Sequence, residues 1–246
     1  MFWRQNPFDH MKIDDLGDIA INTYNVKKSV GIIENRIASV AGEGAIPLCL
    51  GGDHTVTYGT LRGLKEKHGS VTLIHLDAHT DTNDDSFGEK ITHGTPIRRA
   101  FEDGLISRAF QIGLRGTGYF DSDWDWSTDQ GFEVLPAWDI LNMSNERFVQ
   151  RITEMAGSIG SHENVYVSLD IDVCDPAYAP GTGTPETGGL SPFHVLHVIR
   201  ALKGKRIVGA DVVEVSPPYD APANVTAVLG ANFAYELLCV MRKLRG

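Results

Sequence analysis

The architecture turns on one stretch, Val71-Thr72-Leu73-Ile74-His75-Leu76-Asp77-Ala78-His79-Thr80-Asp81. Its first six residues form a mostly apolar run of strand length with no period-2 polar alternation. Strands covered on both faces, as in a parallel sheet, read this way. Its last five residues set Asp77, His79 and Asp81 at i, i+2 and i+4, which an extended backbone would turn to one face. Four more runs resemble the first part: Ile46 to Leu50, Arg108 to Leu114, Val165 to Leu169 and Ile207 to Val215. Ile13 to Leu16 and Phe132 to Leu135 are shorter strand candidates.

Helical segments fall between the runs. Val26, Val30, Ile33, Ile37 and Val40 make one stripe at helical spacing. Thr55 to His68 follows the first strong strand. Ser144 to Ile159 and Ser191 to Leu202 open on capping residues, the second with Pro192 at the first helical position. Asn224 to Leu244 reads as a long closing helix. Strands alternating with helices imply an α/β fold with a mostly parallel sheet in a single domain over residues 1–246.

Composition narrows the function. The chain has 246 residues and 22 Lys+Arg against 32 Asp+Glu, a formal net charge of −10. That balance argues against nucleic acid, which calls for clustered basic residues. No apolar run approaches the ~20 residues of a membrane-spanning helix. The N-terminus lacks the basic-then-apolar pattern of a signal peptide. Cys49, Cys174 and Cys239 are widely spaced and odd in number, so the expectation is a reducing cytoplasm without a disulfide framework.

Ligands of parallel open sheets bind beyond the carboxyl ends of the strands. Three of these ends carry metal-ligating types: Gly51-Gly52-Asp53-His54, Asp77 to Asp81, and Asp170-Ile171-Asp172; the last strand carries Glu214. Four Asp brought together repel one another unless cations offset them. Asp and His without Cys favour hard or borderline ions such as Mn²⁺ over structural zinc. Six ligands suit two ions, with Asp77 and Asp170 bridging. By contrast, His75 reads as a core histidine, and His194 and His197, at i, i+3 on one helix, have no carboxylates beside them. Cys174 reads as a packing group near the site.

These motifs resemble the signature segments of the ureohydrolases, the arginase/agmatinase family. The match extends through His93-Gly94-Thr95-Pro96, through Asp175 to Glu186 (DPAYAPGTGTPE), and through Glu214 to Asp220 (EVSPPYD). Asp-Ile-Asp-Val after the third signature strand and the Glu214 segment are closer to agmatinases than to arginases. Asn83 to Lys90 and Gln111 to Gly118 look most like guanidinobutyrase and guanidinopropionase.

The resemblance implies a three-layer α/β/α sheet of eight mostly parallel strands, a binuclear Mn²⁺ site and a homo-oligomer, trimeric or hexameric. One ion would be held by His54, Asp77, Asp81 and Asp170, the other by Asp77, His79, Asp170 and Asp172. The implied reaction hydrolyses a small guanidino compound, agmatine or a guanidino acid such as 4-guanidinobutyrate, to urea and an amine.

A guanidinium carbon is a poor electrophile, and a water bridging two metals can become hydroxide at neutral pH. Asp81 would hold that hydroxide by a hydrogen bond. Glu214 would pair with the guanidinium, Thr184 would touch it, and His93 would carry a proton to the leaving amine. A substrate carboxylate would look to Arg115, and a cationic tail to Asp121, Asp123 or Asp125. Tyr119, Trp124 and Trp126 are candidates for a pocket wall. Family members also begin with one more strand and loop than residues 1–12 supply. The expectations are an exposed strand edge and, as the competing reading, a non-catalytic subunit. A formimino group is a third substrate class.

Overall fold

The computed structural model describes Trp3, residues 6–116 and residues 122–241, without the side chains of residues 122 and 123. Among the described residues six strands form one sheet: β1 (Leu48–Leu50), β2 (Val71–Leu76), β3 (Ile106–Ile112), β4 (Glu133–Leu135), β5 (Asn164–Asp170) and β6 (Arg206–Val213). The order is β1-β6-β5-β2-β3-β4, and every pairing is parallel.

Among the described residues eight α-helices flank the sheet: α1 (Val26–Gly42), α2 (Thr55–His68), α3 (Pro96–Glu102), α4 (Ser122–Asp129), α5 (Ala137–Leu141), α6 (Asn145–Ser158), α7 (Pro192–Ala201) and α8 (Val225–Met241). Two apolar clusters, one on each face, make the fold three-layered. Residues of α1, α2 and α3 pack with Leu73, Ala109 and Tyr166. Residues of α5 to α8 pack with Ile74, Ile112 and Val167. Burying both faces of the central strands removes the need for polar alternation, which explains the apolar runs.

Helix starts follow local chemistry. The Asn25 side chain accepts the Lys28 N–H at 2.9 Å, capping α1. Ser191 precedes Pro192, and the His194 ring takes the reciprocal place in that capping box, accepting the Ser191 N–H at 3.2 Å. His194 is therefore a cap, and His197 bonds the Phe193 carbonyl, as their lack of nearby carboxylates led us to expect. Helices α1 and α2 approach closely at Gly63, where a Cβ would lie 2.6 Å from the Glu34 carbonyl oxygen.

The three-layer, mostly parallel sheet is as expected, with six of the family's strands among the described residues. Several expectations are corrected. Ile13 to Leu16 has no ladder partner and is irregular, with Leu16 exposed. Strand β3 runs two residues earlier than expected because Gly113, at φ +101, turns the chain out of the sheet. Strand β6 stops before Glu214, whose φ of +63 ends the extended run. Among the described residues β1 pairs with β6 alone, and Leu50 is 69% exposed. Among the described residues no helix is long and apolar enough to cross a membrane.

A half-buried ion pair ties α7 to α8. Arg200 meets both oxygens of Glu236, at 2.6 and 2.9 Å, and Trp3 Nε1 donates to the same carboxylate at 2.7 Å. Burial pushes the Glu236 carboxyl up, but the bonds from Arg200 and Trp3 outweigh it and hold the group below its ordinary 4.5. Because the folded value is the lower one, Glu236 stabilises the fold above pH 4.5 and loses that effect as pH falls through the lowered value. Glu236→Gln is expected to cost roughly 2 kcal/mol at pH 7 and much less near pH 3, measured by urea unfolding at both pH values. An equal loss at both would contradict this assignment.

Candidate metal centre

Strands β2 and β5 are neighbours whose onward connections part, one toward β3 and the other toward β6. This opens a crevice at their carboxyl ends, where such sheets bind ligands. Asp77, Asp170 and Asp172 lie there, and the loop after β1 brings His54 across from the side. All four are at most 2% exposed.

Asp77, His79 and Asp81 do converge, but not on an extended backbone as the spacing suggested. The chain bends after β2. The Asp77 carboxylate accepts the His79 N–H at 2.6 Å, and Asp81 sits at φ +52. Strain of this kind at a non-glycine residue persists where surrounding contacts hold it. Here the Asp81 carbonyl accepts the Ile97 N–H at the start of α3. On β5, Asp170 accepts the Asp172 N–H at 2.8 Å and starts a single 3-10 turn.

Around His54, Nδ1 lies 2.8 Å from Asp81, 3.0 Å from Asp77 and 3.2 Å from Asp170. That buried nitrogen nevertheless makes no hydrogen bond. One nitrogen facing three carboxylate oxygens, aligned with none, has the geometry of a shared cation rather than of a hydrogen bond. On the other side, His79 Nδ1 lies 3.0 Å from Asp172 and 3.5 Å from Asp77. Two candidate metal-holding groups result, His54, His75, Asp77 and Asp81, and Asp77, His79 and Asp172, sharing Asp77. Asp170 joins the first through His54.

The electrostatics show the same need for positive charge. Burial, then Asp172 and Asp77, push the Asp170 carboxyl well up; burial and Asp77 raise Asp172. Burial acts the same way on Asp77, but the neighbouring His75, His54 and His79 hold it well below the ordinary range. Burial lowers the imidazoles, yet Asp81, Asp170 and Asp77 carry His54 well upward, and Asp172 and Asp77 raise His79 to about 12. Protons thus compensate the carboxylates at the atoms a metal would use.

Beyond the cluster, Glu214 Oε1 accepts the His54 N–H at 2.8 Å, and burial raises its carboxyl. Gly183 adjoins Glu214, and Thr184 Oγ1 is 3.5 Å from Asp172. His93 is exposed, in a turn joined to the metal-side loop by the Asn83 N–H to Gly94 carbonyl bond.

Arg115 is corrected: it is no reader of a substrate carboxylate. Its guanidinium donates to the main-chain carbonyls of Gly113, Asp172, Val173, Cys174, Glu186 and Thr187, clamping the loop behind Asp172. Trp126 packs edge-on against Phe101 and Phe132, and Trp124 stacks on Trp138. Tyr119 and Asp121 lie outside the described residues, as does the Asp123 side chain. Cys174 is buried and its thiol is pushed up to about 12 by burial.

The sequence reading missed a layer beneath the site. His75, Gln111, Ser168 and Asp211 are fully buried and stand side by side across β3, β2, β5 and β6. His75 Nε2 bonds Asp77 at 2.9 Å, and the Gln111 amide donates to the Thr80 carbonyl at 2.8 Å. His75 and Ser168 stand two positions before ligand-type residues, hence on the same sheet face. A lone polar residue at that offset in an apolar run is the signal that could have found them. Glu186, 3.7 Å from His79 Nε2, was missed as well.

A model of the Arginase family matches residues 1–239. The guanidinobutyrase of Pseudomonas aeruginosa is 50% identical over 237 residues, 96% of this chain and 73% of that protein. The mitochondrial agmatinase of Gallus gallus is 47% identical, over 96% of this chain and 68% of its own length. Among solved structures, proclavaminate amidino hydrolase from Streptomyces clavuligerus superposes with a TM-score of 0.89 at 35% identity, covering 96% of this chain and 77% of the other.

A ligand that binds only the folded state raises its stability. Millimolar Mn²⁺ added to metal-free protein is therefore expected to raise Tm by at least several degrees, and chelation to reverse the shift. Asp77→Ala, which removes the shared carboxylate, is expected to abolish it. A Tm indifferent to metal in the wild type would contradict a metal centre here.

Proposed function

The chain belongs to the arginase family, and from that premise we propose that it hydrolyses the amidine C–N bond of a small guanidino compound to release urea and an amine. The carrying observation is the buried His54 Nδ1 facing Asp77, Asp81 and Asp170 without a hydrogen bond, beside a half-buried Glu214. The donor set, imidazole nitrogen and carboxylate oxygen without thiolate, fits Mn²⁺. We assign one ion to His54, Asp77, Asp81 and Asp170, and the other to Asp77, His79, Asp170 and Asp172. Two such ions, when bound, make hydroxide available at neutral pH.

The chain's own residues do the rest. Glu214 is half-buried and desolvation raises its carboxyl, so a guanidinium is a partner that would favour its ionised form. Oε1 is held by the His54 N–H, which fixes the carboxylate plane. A two-pronged contact from this carboxylate would orient the substrate carbon toward the cluster. Asp81 would hydrogen-bond the nucleophile, Thr184 would steady the guanidinium, and exposed His93 would deliver a proton to the leaving amine.

For the substrate we place 4-guanidinobutyrate first and agmatine second, following the 50% and 47% identities to a guanidinobutyrase and an agmatinase. We further propose a homo-oligomer, a trimer or hexamer, tested by light scattering, and a cytoplasmic setting, in keeping with three cysteines that form no disulfide.

Urea release is to be measured with Mn²⁺ on 4-guanidinobutyrate, agmatine, 3-guanidinopropionate and arginine. One of the first two is expected to dominate, and Asp170→Asn and Glu214→Gln are each expected to lower kcat/KM at least ~100-fold. Metal-loaded protein that releases urea from none of the four would instead support a non-catalytic subunit. Formamide from a formimino substrate would redirect the substrate class.

A further inference from the structure

His54 can serve as a ligand through Nδ1 only if that nitrogen keeps its lone pair, so the imidazole proton has to sit on Nε2. His54 Nε2 faces Ser168 Oγ at 2.8 Å. A hydroxyl can either give a hydrogen to that nitrogen or receive one from it, and the two choices leave Nδ1 in opposite states. What decides is the far side of Ser168.

There, Ser168 Oγ lies 2.8 Å from Asp211 Oδ1. The other oxygen, Oδ2, is met by Thr57 Oγ1 at 2.7 Å and by the Tyr166 hydroxyl at 2.5 Å. A carboxylate only accepts, so each of the three hydroxyls spends its single hydrogen on Asp211. Thr57 and Ser168 also lie 3.2 Å apart, but neither has a hydrogen left for the other. With its hydrogen committed, Ser168 must accept from His54 Nε2–H. With Nε2 keeping its hydrogen, Nδ1 is the nitrogen that gives up its proton and turns its lone pair to a cation held among Asp77, Asp81 and Asp170. Asp211, Ser168 and Thr57 are fully buried, so no water competes for these bonds.

We propose that Asp211 is a positioning residue that presets His54 as a metal ligand, acting through Ser168. The proposal rests on the binuclear reading above and adds a residue that touches neither metal-ligand side chains nor substrate. It is also one-sided. His79, on the other ion, turns its Nε2 to Glu186 at 3.7 Å and has no part in the Asp211 network.

That asymmetry gives the test. Mn²⁺ binding to the full chain is titrated calorimetrically for the wild type, Asp211→Asn, Ser168→Ala and the double variant. The metal-free Tm of each is recorded alongside. Two binding events are expected for the wild type. Asp211→Asn and Ser168→Ala are each expected to weaken one event by about 10- to 100-fold, the range for outer partners of metal ligands, and to leave the other within about twofold. The double variant is expected to be no worse than Ser168→Ala alone, because the two residues act in series.

Equal weakening of both events, or additive losses in the double variant, would overturn the proposal in favour of a general structural role. Should Asp211→Asn fail to fold, Ser168→Ala carries the test by itself: unchanged affinity at both ions overturns the relay. A wild type that binds no Mn²⁺ overturns the metal reading and this proposal together. Failure confined to the variants overturns only the proposal.

Discussion

Four carboxylates, those of Asp77, Asp81, Asp170 and Asp172, are buried against two imidazoles at the end of two adjacent strands. Two like charges about 4 Å apart repel by roughly 4 kcal/mol even at an effective dielectric of 20. The cluster therefore cannot persist without positive charge among its members. Protons on His54 and His79 can supply it, as the upward displacement of both imidazoles indicates. Divalent cations can supply it at the same atoms. The surrounding structure holds these groups where one of the two must happen. Asp81 is kept in a strained conformation by α3, and the Arg115 clamp ties down the loop after Asp172.

The sheet makes this possible by stacking layers of side chains along its strands. The ligand-type residues Asp77 and Asp170 occupy the last positions before the crevice. One period below on the same face lies the polar row of His75, Gln111, Ser168 and Asp211. Below that the face is apolar, with Leu73, Ala109 and Tyr166 against α1, α2 and α3. Period-2 geometry thus places a hydrogen-bonding layer between the His/Asp cluster and the apolar core.

Much of this was legible in the sequence. The apolar runs marked five of the six strands and Phe132 to Leu135 the other, because a sheet covered on both faces excludes polar alternation. The gathering of His54, Asp77, His79, Asp81, Asp170 and Asp172 at one edge was legible because parallel strands of one sheet end on the same side. Less could be read of how the backbone delivers them. The even spacing of Asp77, His79 and Asp81 suggested an extended segment, but an Asx-type turn and a positive φ bring them together. Arg115 looked like a free cation in a polar loop. Nothing local in a sequence shows five carbonyl groups from two distant segments converging on one guanidinium.

By itself, then, the sequence determined the element types, the edge of the sheet where chemistry gathers, and the kinds of ligand found there. Each of these follows from residue type and short-range periodicity. Only the tertiary structure decided which groups face one another: Asp81, Asp77 and Asp170 around one nitrogen of His54, Glu214 against the His54 N–H, and Asp211 behind Ser168. Those contacts join residues up to 160 positions apart. They depend on strand order and register, which arise from the packing of the whole sheet against its helices and leave no periodic trace along the chain.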